Sequence, residues 1–220
     1  MPELRAVISD FGGVLTTPLQ EAFAATSDSG IAIEDYGRAL ALTTPPGGEP
    51  SLFALERGEI PESAFVAEME RGLTDVLGRP ITLDGFAARL HAALKPNQAM
   101  FDHYLALRDA GLRLALLTNN VREWEPAWRS LLPIDAIFEL VVDSSAVGLR
   151  KPDPAIYRLT LDRLGLPAEA CAFVDDLAIN VDAARELGLH GVVFHDTAQV
   201  IAELDALRAG QFSQPSRSQQ

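Results

Sequence analysis

The 220-residue sequence predicts an α/β fold: a doubly wound parallel sheet with helices on both faces and a helical insertion after its first strand. Two observations carry that expectation. From about residue 99 onward, apolar runs of strand length alternate with amphipathic stretches of helix length, as they do when crossover helices join parallel strands. In addition, three strand candidates end in polar residues fit for chemistry, namely Asp10, Thr118 with Asn119, and Asp175 with Asp176. Ligand sites in such sheets lie beyond the C-terminal edges of the strands, so these residues are expected to converge.

The first strand comes from Ala6, Val7 and Ile8, which run into Asp10 and then Gly12 and Gly13. A buried strand there delivers one carboxylate into a loop with open backbone amides, suited to binding a metal or attacking an electrophile. Taken singly, Asp and Gly are also ordinary turn residues. Helical patterns then dominate to about residue 94. They are broken over residues 43–50, where three prolines and two glycines in eight residues exclude regular structure. Over residues 51–77, Phe53, Leu55, Ile60, Phe65, Val66, Met69 and Leu73 mark helical faces, with a turn at Gly58 and Pro61, and a further short helix is expected over residues 83–94.

An amphipathic helix over residues 99–110 is closed by Gly111, and a strand over 112–117 follows. Strands at 138–142, 170–174 and 191–194 alternate with helices at 154–164 and 181–187. Residues 211–220 have almost nothing apolar and are expected to fray. The resulting division is a core of residues 1–15 and 98–210, an inserted helical unit of 16–97, and a tail of 211–220.

Net charge of -13 and a pI near 4.6 exclude nucleic acid and anionic membrane surfaces as partners, since Lys and Arg bind those. A small phosphorylated metabolite is still allowed where local positive charge or a divalent cation offsets its own. The single cysteine, Cys171, excludes an intramolecular disulfide and reads as a buried strand residue. Without a basic start leading into a long apolar run, or an apolar stretch of about 20 residues, the expectation is a cytoplasmic protein. Trp124 and Trp128, four apart, read as packing on one helical face, and His91, His103, His190 and His195 show no metal spacing and read as structural. No stretch specifies an oligomeric state.

Four motifs in order carry a resemblance: Asp10-Phe11-Gly12-Gly13-Val14-Leu15; Leu116-Leu117-Thr118-Asn119; Gly148-Leu149-Arg150-Lys151-Pro152-Asp153-Pro154 with Ile156 and Tyr157; and Phe173-Val174-Asp175-Asp176-Leu177 with Asn180, Ala183, Ala184, Leu187 and Gly188. Together they resemble the haloacid dehalogenase-like (HAD) hydrolase superfamily over the whole chain apart from the tail. The helical insertion is similar to that family's small cap domain. The stretch Leu55-Glu56-Arg57-Gly58-Glu59-Ile60 is similar to caps of the branch that includes the phosphatase domain of soluble epoxide hydrolases.

The resemblance implies a Rossmann-like HAD core and a magnesium-dependent phosphatase acting on a small phosphomonoester. Asp10 matches the nucleophile that forms an aspartyl-phosphate and also binds Mg2+, and Gly12 would add its backbone carbonyl to the metal. Asp176 matches the direct carboxylate ligand, with Asp175 reaching the metal through water or pairing with the lysine. Thr118, Asn119 and the loop at Gly12 and Gly13 would bind phosphoryl oxygens, Lys151 would stabilise nucleophile and phosphate together, and Asn180 would hold the lysine. The chemistry agrees with these roles. A carboxylate approaches an anionic phosphoryl group only where a cation and donors offset the repulsion, and hard oxygen ligands suit magnesium.

Each residue has a plainer reading alone, Thr118-Asn119-Asn120 as a strand-end turn and Lys151 as a solvated loop lysine. The adjacent pair Asp175-Asp176 is more telling, because neighbouring like charges cost energy unless a cation or donors compensate.

One position departs from the family. Most of its phosphatases carry a second aspartate two residues after the nucleophile as acid and base, and here that position is Gly12. A positioned acid/base contributes about 100-fold to 10,000-fold in rate. Its absence implies slow turnover, a good leaving group, or a substitute acid, for which Glu56, Glu59 and Asp28 in the insertion are candidates. Two alternatives stay open: a metal-independent haloacid dehalogenase proper, and a phosphate-ligand binder silenced at Gly12. Against the dehalogenase, Asp175 and Asp176 would repel an anionic substrate. The insertion is expected to close over the site about hinges near residues 16–18 and 95–97.

Overall fold

A computed structural model describes residues 3–18, 21–22 and 30–210. Five strands form one parallel sheet: β1 Ala6–Ser9, β2 Arg113–Thr118, β3 Leu140–Asp143, β4 Cys171–Asp175 and β5 His190–Val193, in the order β3-β2-β1-β4-β5. The side chains of the three central strands alternate between two cores, as the period of two in a strand requires. Val7, Leu114, Leu116, Ala172 and Val174 face one core, while Ala6, Ile8, Ala115, Leu117, Cys171 and Phe173 face the other. Burial on both faces explains why these strands are continuous apolar runs in the sequence. Each fully buried Val, Ile or Leu contributes about 1.5–3 kcal/mol.

In chain order the described helices are α1 Ile33–Thr43, α2 Ser51–Glu56, α3 Glu62–Leu77, α4 Phe86–Ala93, α5 Gln98–Asp109, α6 Glu125–Arg129, α7 Ser144–Val147, α8 Pro154–Leu164, α9 Ala178–Glu186 and α10 Thr197–Arg208. The first core is covered by Met100, Phe101, Tyr104 and Leu107 of α5 and by Val200, Leu204 and Leu207 of α10. The second is covered by Ile156, Tyr157 and Leu164 of α8 and by Val181 and Ala184 of α9. The doubly wound architecture therefore follows from the alternation in the sequence. The strand expected at 138–142 begins two residues later, because Phe138 turns under α5 and meets Tyr104 with ring centroids 6.0 Å apart. Helix α10 was not anticipated, although Asp196 caps it by accepting from Gln199 N and Val200, Leu204 and Leu207 fall at helical spacing.

Between β1 and α5 the helices have an apolar cluster of their own, built from Ile31, Ala39, Met69, Leu73, Ile81 and Leu83. The chain leaves and re-enters the sheet side by side. Thr16 bridges Pro96 in antiparallel fashion, Thr17 N donates to Lys95 O at 2.9 Å, and Asn97 N donates to Leu15 O at 2.8 Å. Asn97 adds a side-chain bond to Val14 O and caps α5 through Met100 N. The candidate acid Asp28 and the tail 211–220 lie outside the described residues. No helix among the described residues is long and apolar enough to cross a membrane.

Candidate active site

The three central strands, β2, β1 and β4, end together, and the residues that follow them meet. Asp10 leaves β1 with its N–H donating to Val174 O at 2.8 Å, while the buried Ser9 donates to Asp10 O and accepts from Tyr104. Asp175 ends β4 and Thr118 ends β2, both buried. Lys151 comes from the loop before α8 and is 1% exposed. Its Nζ lies 2.7 Å from Asp10 Oδ1 and 2.6 Å from Asp175 Oδ2, bridging the two carboxylates.

Hydrogen bonds around these groups fix their positions. Asp175 accepts from Leu177 N at 2.8 Å and from Asn180 Nδ2 at 3.0 and 3.1 Å. Asn180 thus acts on the lysine at one remove, through Asp175. Asn119, expected as a donor to substrate, instead clamps the lysine's backbone: its Oδ1 accepts from Lys151 N at 2.8 Å and its Nδ2 donates to Lys151 O at 3.0 Å. Among the described residues, the Thr118 hydroxyl bonds only Asn119 O, at 3.5 Å. Asp176 is half-buried against Gly13, whose φ of +74° and lack of a Cβ leave room for the Asp176 carboxylate.

Asp10, Asp175 and Asp176 each offer a carboxylate oxygen, and these lie within 4.8 Å of one another. One ammonium cannot balance three carboxylates. Burial, then Asp175 and Asp176, pushes the Asp10 carboxyl up to about 7 against the pull of Lys151. Burial and Asp175 push Asp176 up to about 6. Burial alone would lower the Lys151 ammonium, but Asp10 and Asp175 hold it above its ordinary value. A cluster of hard oxygen donors short of positive charge fits a divalent cation such as magnesium.

One cavity opens onto this cluster, and a second lies beside it, sharing Gly12, Glu56 and Asn119 with the first. The first, of about 540 Å³, is bounded by Asp10, Lys151, Asp176 and Asn180 with Phe53 and Arg150. The other, of about 170 Å³, is mostly apolar and is bounded by Phe11, Leu52, Leu90, Leu94, Trp124 and Trp128.

Residues 4–188, carrying all four motifs, match the haloacid dehalogenase-like hydrolase family. The chain belongs to that family. This HAD hydrolase is 25% identical over 224 residues to bifunctional epoxide hydrolase 2 of Mus musculus, covering 95% of this chain and 40% of that protein. It spans less than half the length of the first curated relatives it matches. Its fold is that of a HAD family enzyme of Bacteroides thetaiotaomicron solved with magnesium and inorganic phosphate, with a TM-score of 0.64 and 22% identity over 86% of this chain and 93% of that one. The fold is shared equally with an L-2-haloacid dehalogenase, with a TM-score of 0.68 and 20% identity over 93% of this chain and all of that one (100%).

Around the HAD motifs stand residues whose roles the sequence left open. Gly12, the position that lacks the second aspartate, lies on the border of both cavities. Arg150, next to the motif lysine, pairs with Glu56 of α2 at 2.6 Å and stacks its guanidinium 3.7 Å above the Phe53 ring. Glu59, the other described acid candidate, is exposed and paired with Arg57. His91, read as structural, borders the apolar cavity, packs edge-on against Trp124 at 5.2 Å and bonds Ala87 O through Nδ1. The two tryptophans have separate roles. Trp128 is core, 5.1 Å from the Phe11 ring, whereas Trp124 ends a 3-10 turn and donates to Glu62 at 2.7 Å.

Proposed function

We propose that this HAD hydrolase is a magnesium-dependent phosphatase of small phosphomonoesters that works through an aspartyl-phosphate on Asp10. The observation that carries the reading is the cluster of three carboxylates within 4.8 Å around a single buried lysine. A metal-free dehalogenase needs no acid on its leaving halide, and two further carboxylates would repel its anionic substrate. A phosphatase needs them to hold a cation.

Asp10 attacks phosphorus, and Lys151 offsets the charge of nucleophile and phosphoryl group together. Asp175 and Asn180 keep the lysine aimed, and Asn119 fixes its backbone. The Thr118 hydroxyl and the loop at Gly12 and Gly13 receive phosphoryl oxygens. Asp10, Asp176 and the Gly12 carbonyl would hold magnesium, with Asp175 in reach through water. Magnesium so held supplies the charge neutralisation that lets one anion approach another and keeps Asp10 ionised. Residues 16–97 act as the cap, which closes about the paired connections at 16–18 and 95–97 and excludes water from the site.

The test is phosphate release from 4-nitrophenyl phosphate with and without magnesium, by wild type and Asp10→Asn. Turnover that needs magnesium and vanishes in Asp10→Asn is expected. Magnesium-independent halide release from an L-2-haloacid, with no phosphate release, would overturn the reading.

A further inference from the structure

We propose that Glu56 is the general acid and base of this hydrolase, supplying from the helical insertion the proton transfer that Gly12 cannot. The inference rests on the phosphatase reading above. The leaving oxygen of a phosphomonoester joins phosphorus, held at Asp10, to the organic group, so it must sit where the two cavities meet. Of the described residues, Gly12, Glu56 and Asn119 border both cavities. Gly12 has no side chain, and the Asn119 amide is committed to the Lys151 backbone. Glu56 is therefore the ionisable side chain at the junction.

Its setting suits proton transfer. Glu56 Oε2 accepts from Arg150 Nε at 2.6 Å, and Oε1 has no hydrogen-bond partner among the described residues. Burial holds the carboxyl above its ordinary range while Arg150 pulls it down, so the acid can give its proton and the carboxylate left behind is stabilised. The turn after α2 is docked firmly: Gly58 packs against Ser145 O and Arg122, which bond each other at 2.8 Å. Other candidates lack this placement, since Glu59 is exposed and borders neither of these cavities and His91 borders only the apolar one.

In the first step Asp10 Oδ bonds to phosphorus, the bond from phosphorus to the leaving oxygen breaks, and that oxygen takes the bond's electron pair and the Glu56 proton. In the second, Glu56 carboxylate takes a proton from water as the water oxygen bonds to phosphorus. The bond from phosphorus to Asp10 breaks and the Asp10 carboxylate is restored. Substrate and water become alcohol and inorganic phosphate, with Glu56 again protonated.

The test is kcat/KM with magnesium across phosphomonoesters from 4-nitrophenyl phosphate to simple alkyl phosphates, for wild type, Glu56→Gln, Glu56→Asp and His91→Gln. An alkoxide needs a proton to leave, whereas 4-nitrophenolate does not. Glu56→Gln is expected to lose about 100-fold to 10,000-fold on alkyl esters and less than about 10-fold on the nitrophenyl ester. That retained activity also shows the variant is folded. Glu56→Asp keeps the charge beside Arg150 and should show the same pattern more weakly, and any loss in His91→Gln, which borders the apolar cavity, should not grow with the basicity of the leaving group. An equal loss on every ester in both Glu56 variants, no loss at all, or a leaving-group-dependent loss in His91→Gln instead would overturn the assignment while leaving the phosphatase reading intact. A wild type inert on every ester overturns both.

Discussion

Gly13→Ala places a methyl group where the Asp176 carboxylate lies. An ideal Cβ on Gly13 would overlap Asp176 Oδ2 and stand 2.6 Å from its Cγ, far inside contact distance. The backbone there has φ +74°, a left-handed conformation that costs a side-chain-bearing residue about 1–2 kcal/mol. The two effects have different readouts. Backbone strain lowers the melting temperature by roughly 2–8 °C for a chain of this size. The clash pushes Asp176 out of the carboxylate cluster, which should weaken magnesium binding by about 10-fold to 100-fold. Gly165→Ala supplies the control, because Gly165 has φ +62° and nothing within 4 Å of its ideal Cβ. It closes α8 away from the site. Calorimetric titration with magnesium and thermal melts on both variants separate the effects: both should lose stability, and only Gly13→Ala should lose affinity. Equal magnesium affinity in the two variants would refute the placement of Asp176 as a ligand held by its packing on Gly13.

Lys151→Met removes the ammonium between Asp10 and Asp175 and leaves two buried carboxylates facing each other. Urea denaturation without metal should show a loss on the order of 3–5 kcal/mol, part of which magnesium restores; a loss below about 1 kcal/mol would contradict the bridging role. The pH dependence of metal-free stability follows from Asp10 near 7 and Asp176 near 6, both above the usual 3.8. Between those values and 3.8 the folded chain keeps protons that the unfolded chain has released. Stability therefore falls as pH rises from about 4 toward 7 and levels beyond it. Melts in chelator should show this fall, shallower in Asp176→Asn and removed by magnesium, and a rise over that window in the wild type relative to Asp176→Asn would show the sign to be wrong.

The convergence of the candidate residues was legible wherever the backbone alone decides position. Asp10, Thr118 and Asp175 end adjacent parallel strands, and parallel register brings such ends together whatever their side chains pack against. Asp176 follows Asp175 directly and needs no further information. Lys151 was legible only through its motif, since nothing local says that a loop lysine will be 1% exposed between two carboxylates. The bonds of Asn119 to the Lys151 backbone were hidden for the same reason. A strand-end amide can serve substrate or backbone, and the choice depends on where a loop 32 residues later passes. Helix α10 was a different failure, because its cap and its apolar spacing were both present in the chain.

The contrast between Glu56 and Glu59 marks the limit most clearly. The two acids stand three residues apart in one stretch, with equal sequence claims to reach the site. What separates them is Gly58, with φ +67°, at which a side chain would collide with Ser145 O and with Arg122 Nη2 at 2.6 Å. That close approach presses the turn onto the sheet side of the molecule, so the acid before the glycine enters the site and meets Arg150, 94 residues away. The acid after it is left outside with Arg57. A glycine in this stretch is visible in the sequence, but the surface it docks on is assembled from β2 and β3 loops far along the chain. The position of a strand-end carboxylate is thus inherited from topology, whereas a group offered across from an inserted unit is specified by long-range packing.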